Sequence, residues 1–202
     1  MRYSVIIYSL LFLFALIIVP LASAEIWVSN DSRDTWIEIR NKSNGEGSSS
    51  ILKTGFDFAS KNLFKSFIRF DLNQNFTNNT IIHEAKLELF LGFGPDGRNS
   101  TNQIRRVLDN WDENELTWNN QPSVSKQITD FVLLVKDEND VWISFNVTSD
   151  IQGFVNGEQD NFGWMIEEPV YNIINMGDTE AKYKSDEFGN SSVRPMLVID
   201  YS

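Results

Sequence analysis

The chain has 202 residues, a formal net charge of −11 and no cysteine. That length suits a single domain with a sizeable core, and the acidic balance disfavours nucleic acid and anionic lipid as partners. Without disulfides, stability must come from burial and from hydrogen-bonded or cation-mediated ties, which in an exported chain suits a prokaryotic envelope.

The N-terminus reads as a secretory signal. Met1-Arg2-Tyr3 precedes an uncharged run from Ser4 to Ala24 that closes on Ala22-Ser23-Ala24, a small-residue cleavage pattern. Cleavage after Ala24 would leave one domain over residues 25–202, secreted or held at the cell surface. The same run is long enough to cross a bilayer, so an uncleaved anchor is the second reading. Seven Asn-x-Ser/Thr sequons follow, at Asn30, Asn41, Asn75, Asn78, Asn99, Asn146 and Asn190. They are glycosylation candidates in an exported protein, Asn146 least of all because it lies in a strand pattern.

Thr35-Trp36-Ile37-Glu38-Ile39 predicts the first strand, and the polar, glycine-containing tract 41–50 a surface loop. Residues 51–55 form a short strand. In 65–72, Ile68, Phe70 and Leu72 share one face and Phe67, Arg69 and Asp71 the other, the period-two signature of a half-buried strand. The alternation runs longest from Ile82 to Phe93, before Gly94-Pro95-Asp96-Gly97 turns the chain. Residues 103–108 supply another strand, 128–135 an apolar strand read as buried, and 142–147 a strand of clearer period. Thr148-Ser149-Asp150 offers N-cap oxygens to a short helix through Ile151, Phe154 and Val155, stopped by Asn156-Gly157. Residues 162–167, 181–185 and 196–201 complete the strands. Many short strands with polar turns and one helix predict an all-β, antiparallel sandwich whose last strand pairs near the first.

Few residues suggest chemistry. The single histidine, His83, has no cysteine or second histidine beside it, and no nucleophile elbow, Walker loop or dinucleotide fingerprint occurs. Asp112, Glu113 and Glu115 are carboxylates in an acidic chain, better read as solvated charge than as a glycosidase pair. No enzyme activity is therefore expected. Asp34, Asn44, Glu46, Asp71 and Asp200 could give oxygen ligands to a structural calcium ion near the joined termini. Phe56, Phe58, Phe93 and Tyr171, with Arg98, could stack on and hydrogen-bond to sugar rings, or could simply pack. The run from Trp111 to Pro122, with a second indole at Trp118, is either a core plug or a ligand platform.

Six motifs in order carry a resemblance. They are Phe67-Ile68-Arg69-Phe70-Asp71-Leu72, Ala85-Lys86-Leu87-Glu88-Leu89, Trp111 through Pro122, Trp142 with Phe145-Asn146-Val147-Thr148, Asn161-Phe162-Gly163-Trp164, and Arg194-Pro195 through Tyr201. Together they resemble the DNRLRE domain family, itself similar to carbohydrate-binding module family 96, over about residues 34–201. The resemblance implies a jelly-roll-like β-sandwich of exported archaeal and bacterial surface proteins, also appended to polysaccharide-degrading enzymes such as disaggregatase. It implies an accessory, non-catalytic role in binding polysaccharide. Two departures matter: Asn146 stands where the family usually has Asp, and the domain occurs without a catalytic partner. A structural or adhesive envelope protein with protein partners is the alternative expectation. Within the resemblance, Trp111 and Trp118 become structural plugs, with Asp112, Glu113 and Asn119 holding the loop and Pro122 closing it.

Overall fold

The computed structural model describes residues 24–43, 45–72, 76–169 and 177–202. The signal or anchor segment, Asn44, Asn75 and Tyr171 lie outside the described residues. The elements are β1 (Glu25–Ser29), β2 (Ser32–Glu38), β3 (Ile51–Asp57), β4 (Asn62–Phe70), β5 (Ile82–Phe93), β6 (Ser100–Arg106), β7 (Asp130–Leu134), β8 (Val141–Asn146), α1 (Thr148–Val155), β9 (Trp164–Glu167), β10 (Ala181–Lys184) and β11 (Met196–Tyr201).

All pairings are antiparallel and form two layers. One layer runs β1-β11-β5-β8, with β10 taking over from β11 along the far end of β5. The other runs β2-β4-β9-β6-β7. Strand β3 belongs to both: Ile51 to Thr54 pair with β10, and Gly55 to Asp57 pair with β4. The switch falls at Gly55, whose φ is +85° and where an added Cβ would lie 2.2 Å from the Thr179 carbonyl oxygen. Only glycine fits such a corner.

The expected sandwich is therefore present; its ends are tied, with Glu25 to Ser29 paired to Tyr201 to Leu197, whereas the first predicted strand pairs with β4 in the other layer. The strand that closes them, β1, was not expected, because the first predicted strand corresponds to β2. Between the layers, Leu87, Leu89 and Leu91 of β5 meet Ile68, Phe70, Ile104, Phe145, Trp164, Ile166, Leu197 and Ile199. Period two thus places the inward set of the longest strand where the pattern puts it.

Three local expectations are corrected. Strand β4 has no wet face: Phe67 is as fully buried as Ile68, because a later loop covers the outer side of its sheet. Strand β7, read as buried, lies at a sheet edge and leaves Phe131 65 % and Leu133 61 % exposed. Helix α1 starts at Thr148, but none of its first side chains caps it. Those side chains are used between elements. Thr148 Oγ1 accepts from the Ala85 amide, and Asp150 accepts from Thr129 Oγ1 and Trp164 Nε1 while pairing with Arg106. The stop is as read, with Asn156 still helical and Gly157 at φ +70°.

Candidate functional site

The loop after β6 folds back across the outer face of the second sheet. Val107, Trp111 and Leu116 join Ile37, Phe67 and Met165 in a compact apolar cluster, with Trp118, Val124 and Phe162 at its margin. Trp111 is 6 % exposed, and its Nε1–H donates to the Phe162 carbonyl at 2.8 Å, so its polar atom is satisfied where its ring is buried. The Trp118 ring is half-buried beneath Lys65 Nζ, 5.4 Å from the centroid.

Side chains lock this loop at both ends. Asp112 Oδ1 accepts from the Asn114 amide at 2.8 Å. In the tail the tie is Asn120 rather than Asn119: its Oδ1 accepts from the Thr117 amide and hydroxyl, and its Nδ2 donates to the Glu115 carbonyl. Asn119 contributes its backbone amide, which donates to the Lys42 carbonyl at 3.3 Å. Pro122 is half-buried where the loop turns back toward Val124.

Beside the buried indole opens a cleft of about 710 Å³, lined by Arg33, Arg69, Asp71, Asn110, Phe154 and Asn161 among others. That volume is within the usual range for small-molecule sites. Arg33 and Arg69 are cross-strand partners on β2 and β4. Arg69 lies over the Trp111 ring at 5.5 Å and donates through Nη1 to Asn110 Oδ1 at 2.9 Å. Burial, and then the neighbouring Arg33, lower the proton affinity of the Arg69 guanidinium. Two guanidinium groups, amide side chains and an aromatic wall give a polar surface with directed donors. Neither Arg33 nor Asn110 is among the residues singled out from sequence. Only the register of two strands and the return of the loop bring them together.

The predicted sugar-binding residues gather elsewhere, around the segment before β10. The Phe56 carbonyl accepts from the Thr179 amide, and the Phe58 amide donates to Asp178 Oδ2. The Arg98 amide donates to the Asp178 carbonyl, and Phe93 lines a small pocket with Asp178 and Lys182. Several of these side chains are already engaged. Lys61 Nζ sits 3.3 Å above the Phe58 ring, and the Arg98 guanidinium pairs with the buried Glu168 at 3.0 Å. Phe93 is 60 % exposed.

A third feature is acidic. One carboxylate oxygen from each of Asp34, Asp186 and Glu187 lies within 4.8 Å of the others. Burial first, then Asp186 and Glu187, push the Asp34 carboxyl well above the usual carboxylate range. Burial and the Glu187 carboxyl push Asp186 up to about 7. Glu113, from the tryptophan loop, is raised by burial and then by Glu187, against a smaller lowering by Arg33 and the Asp34 backbone. Of the expected cation ligands among the described residues, only Asp34 joins this group. Asp200 stands on β11 in the opposite layer, paired across to Ile26 and Glu84. Asp71 lines the cleft, and Glu46 lies in the loop before β3.

His83 is exposed at the start of β5, its Nε2 2.9 Å from Ser202 Oγ. Asp112 and Glu115 are exposed on the loop. Of the sequon residues, Asn30, Asn41, Asn78, Asn99, Asn146 and Asn190 are all exposed. Among the described residues, no helix is long and apolar enough to cross a membrane.

An antiparallel β-sandwich with a loop-walled, polar cleft has the build of a binding module. Residues 26–201 match carbohydrate-binding module family 96, and the chain belongs to that family. No curated protein matches the chain in sequence.

Proposed function

We propose that the chain is an exported, non-catalytic module that binds an extracellular or envelope polysaccharide in the cleft beside Trp111. The observation that carries this reading is the family match over residues 26–201, together with an open cleft lined by Arg33, Arg69, Asp71 and Asn110. Arg33 is exposed and aligned with Arg69, so paired guanidinium donors face a bound chain, while Asp31 and Asp71 line the same cleft with carboxylates that can accept from hydroxyls. The surface near Phe58, Phe93 and Arg98 is the weaker candidate, since Arg98 is engaged by Glu168. Binding of the purified chain to a glycan array and to affinity gels of neutral and uronic-acid polymers tests the reading. Flat responses across both sets would overturn it.

A structural or adhesive envelope role is the second reading, favoured by Phe131 and Leu133 exposed on the edge strand β7. A symmetric assembly in solution with no glycan binding would support it over the first.

A further inference from the structure

We propose that the carboxylates of Asp34, Asp186 and Glu187 bind one calcium ion, and that this ion fastens the turn after β10 to the edge of β2. Three carboxylate oxygens within 4.8 Å of one another fit around a single centre, because calcium–oxygen distances of roughly 2.4 Å place ligands at most about 4.8 Å apart.

The independent observation is Asp34 itself. It is 1 % exposed, and its Oδ1 accepts no hydrogen bond. Its other oxygen is fixed by donors, Ser32 Oγ at 3.2 Å and the Asp186 amide at 3.1 Å. One oxygen is thus anchored and the other left open. Asp186 Oδ1 and Glu187 Oε2 are likewise buried and without a donor. These atoms can only accept while ionised, so together they require a cation or a shared proton.

Among the described residues, no ion pair reaches Asp34, Asp186 or Glu187. Arg194, whose charge acts on Asp186, donates its Nε to the Phe188 carbonyl at 2.9 Å and forms no ion pair with it. The donor set is all oxygen, which selects a hard cation over zinc or copper, and three protein carboxylates around one centre suit calcium better than magnesium, which is usually held by one or two.

Glu113 extends the consequence to the tryptophan loop. The charge of Glu187 and the Asp34 backbone both act on its carboxyl, which places it at the margin of the same centre. The backbone at Gly47 approaches that of Glu113 closely, so that an added Cβ there would lie 2.3 Å from the Glu113 carbonyl oxygen. The ion therefore joins a sheet edge, the turn carrying Asp186 and Glu187, and the loop that walls the glycan cleft.

The test is calorimetric titration of calcium into the full chain after chelation, with thermal melts in parallel. One ion per chain is expected, with a rise in melting temperature and slower protease cleavage within residues 111–122. Asp186→Asn and Glu187→Gln each weaken binding by tenfold or more, and Asp200→Asn leaves it unchanged. Glu187 is partly exposed, so its variant is expected to fold even where an Asp34 variant does not. Absence of calcium binding at millimolar concentration overturns the proposal, as does unchanged binding in both variants. Stabilisation by acid with no response to calcium would mean that a shared proton holds the group. Glycan affinity is not read in these assays, so failure here leaves the polysaccharide reading untouched.

Discussion

Replacing Trp111 with alanine should cost far more stability than replacing Trp118. Trp111 is 6 % exposed and packs against Phe67, with ring centroids 5.9 Å apart, under the Arg69 guanidinium. A tryptophan buries roughly 150–250 Å², and at about 25 cal/mol per Å² its transfer is worth roughly 4–6 kcal/mol before alanine's own share is subtracted. The cavity and the lost bond to the Phe162 carbonyl act in the same direction, and buried Trp→Ala changes typically cost about 3–5 kcal/mol. In a domain of this size that lowers the melting temperature by roughly 6–20 °C. Trp118 is half-buried, so about 1–2 kcal/mol is expected from the partial loss of apolar contact. Urea denaturation of both variants, followed by tryptophan fluorescence and circular dichroism, gives the two values with their m-values. A cost below about 1 kcal/mol for Trp111→Ala, or a larger cost for Trp118→Ala, would refute the assignment of the first indole to the packed cluster.

Gly55→Ala should destabilise by more than Gly157→Ala, because both have positive φ but only Gly55 would drive its Cβ to 2.2 Å from a backbone oxygen. Equal shifts in denaturation midpoint would show that the corner at β3 is not the constraint. Asp150→Ala should cost roughly 3–5 kcal/mol, since it strands Arg106, Thr129 Oγ1 and Trp164 Nε1 together around a buried position. A neutral result in the same denaturation assay would contradict that network. In chelator, the melting temperature should fall as pH rises. Asp34, Asp186 and Glu113 hold protons more tightly folded than unfolded, so stability is greatest below the ordinary carboxylate range and declines toward about pH 7, where Asp186 titrates. Asp112 and Glu187 reinforce this trend, and Arg33 and Arg194 oppose it. Melts that are flat or rise across that window would contradict the repulsion within the group.

The sandwich was legible because its signal is period two. From Ile82 to Phe93 the alternation alone assigns the inward leucines. The strand at Glu25–Ser29 was hidden by its brevity and by Ile26 and Val28, which it exposes. Burial of Phe67 could not be read locally, since it depends on a loop that follows some forty residues later. Strand β7 looked buried because its composition is apolar, but its sheet position leaves Phe131 and Leu133 uncovered. The site was less legible still. Asp34 was among the oxygen ligands expected from sequence, yet Asp186 and Glu187 come beside it only through the turn after β10. Arg33 and Arg69 become neighbours by register, which one sequence does not encode as a motif.

The central claim is that this family 96 module binds glycan in the cleft beside Trp111. The most direct measurement is titration of the best array ligand into wild type, Arg33→Ala and Phe58→Ala. Loss of a charged hydrogen bond worth about 1.5–3 kcal/mol predicts roughly 10- to 150-fold weaker binding for Arg33→Ala. Melting temperature should be nearly unchanged in that variant because Arg33 is exposed, and Phe58→Ala should bind like wild type. Undiminished affinity in Arg33→Ala, with loss in Phe58→Ala, would contradict the account and move the site to the other end of the sandwich.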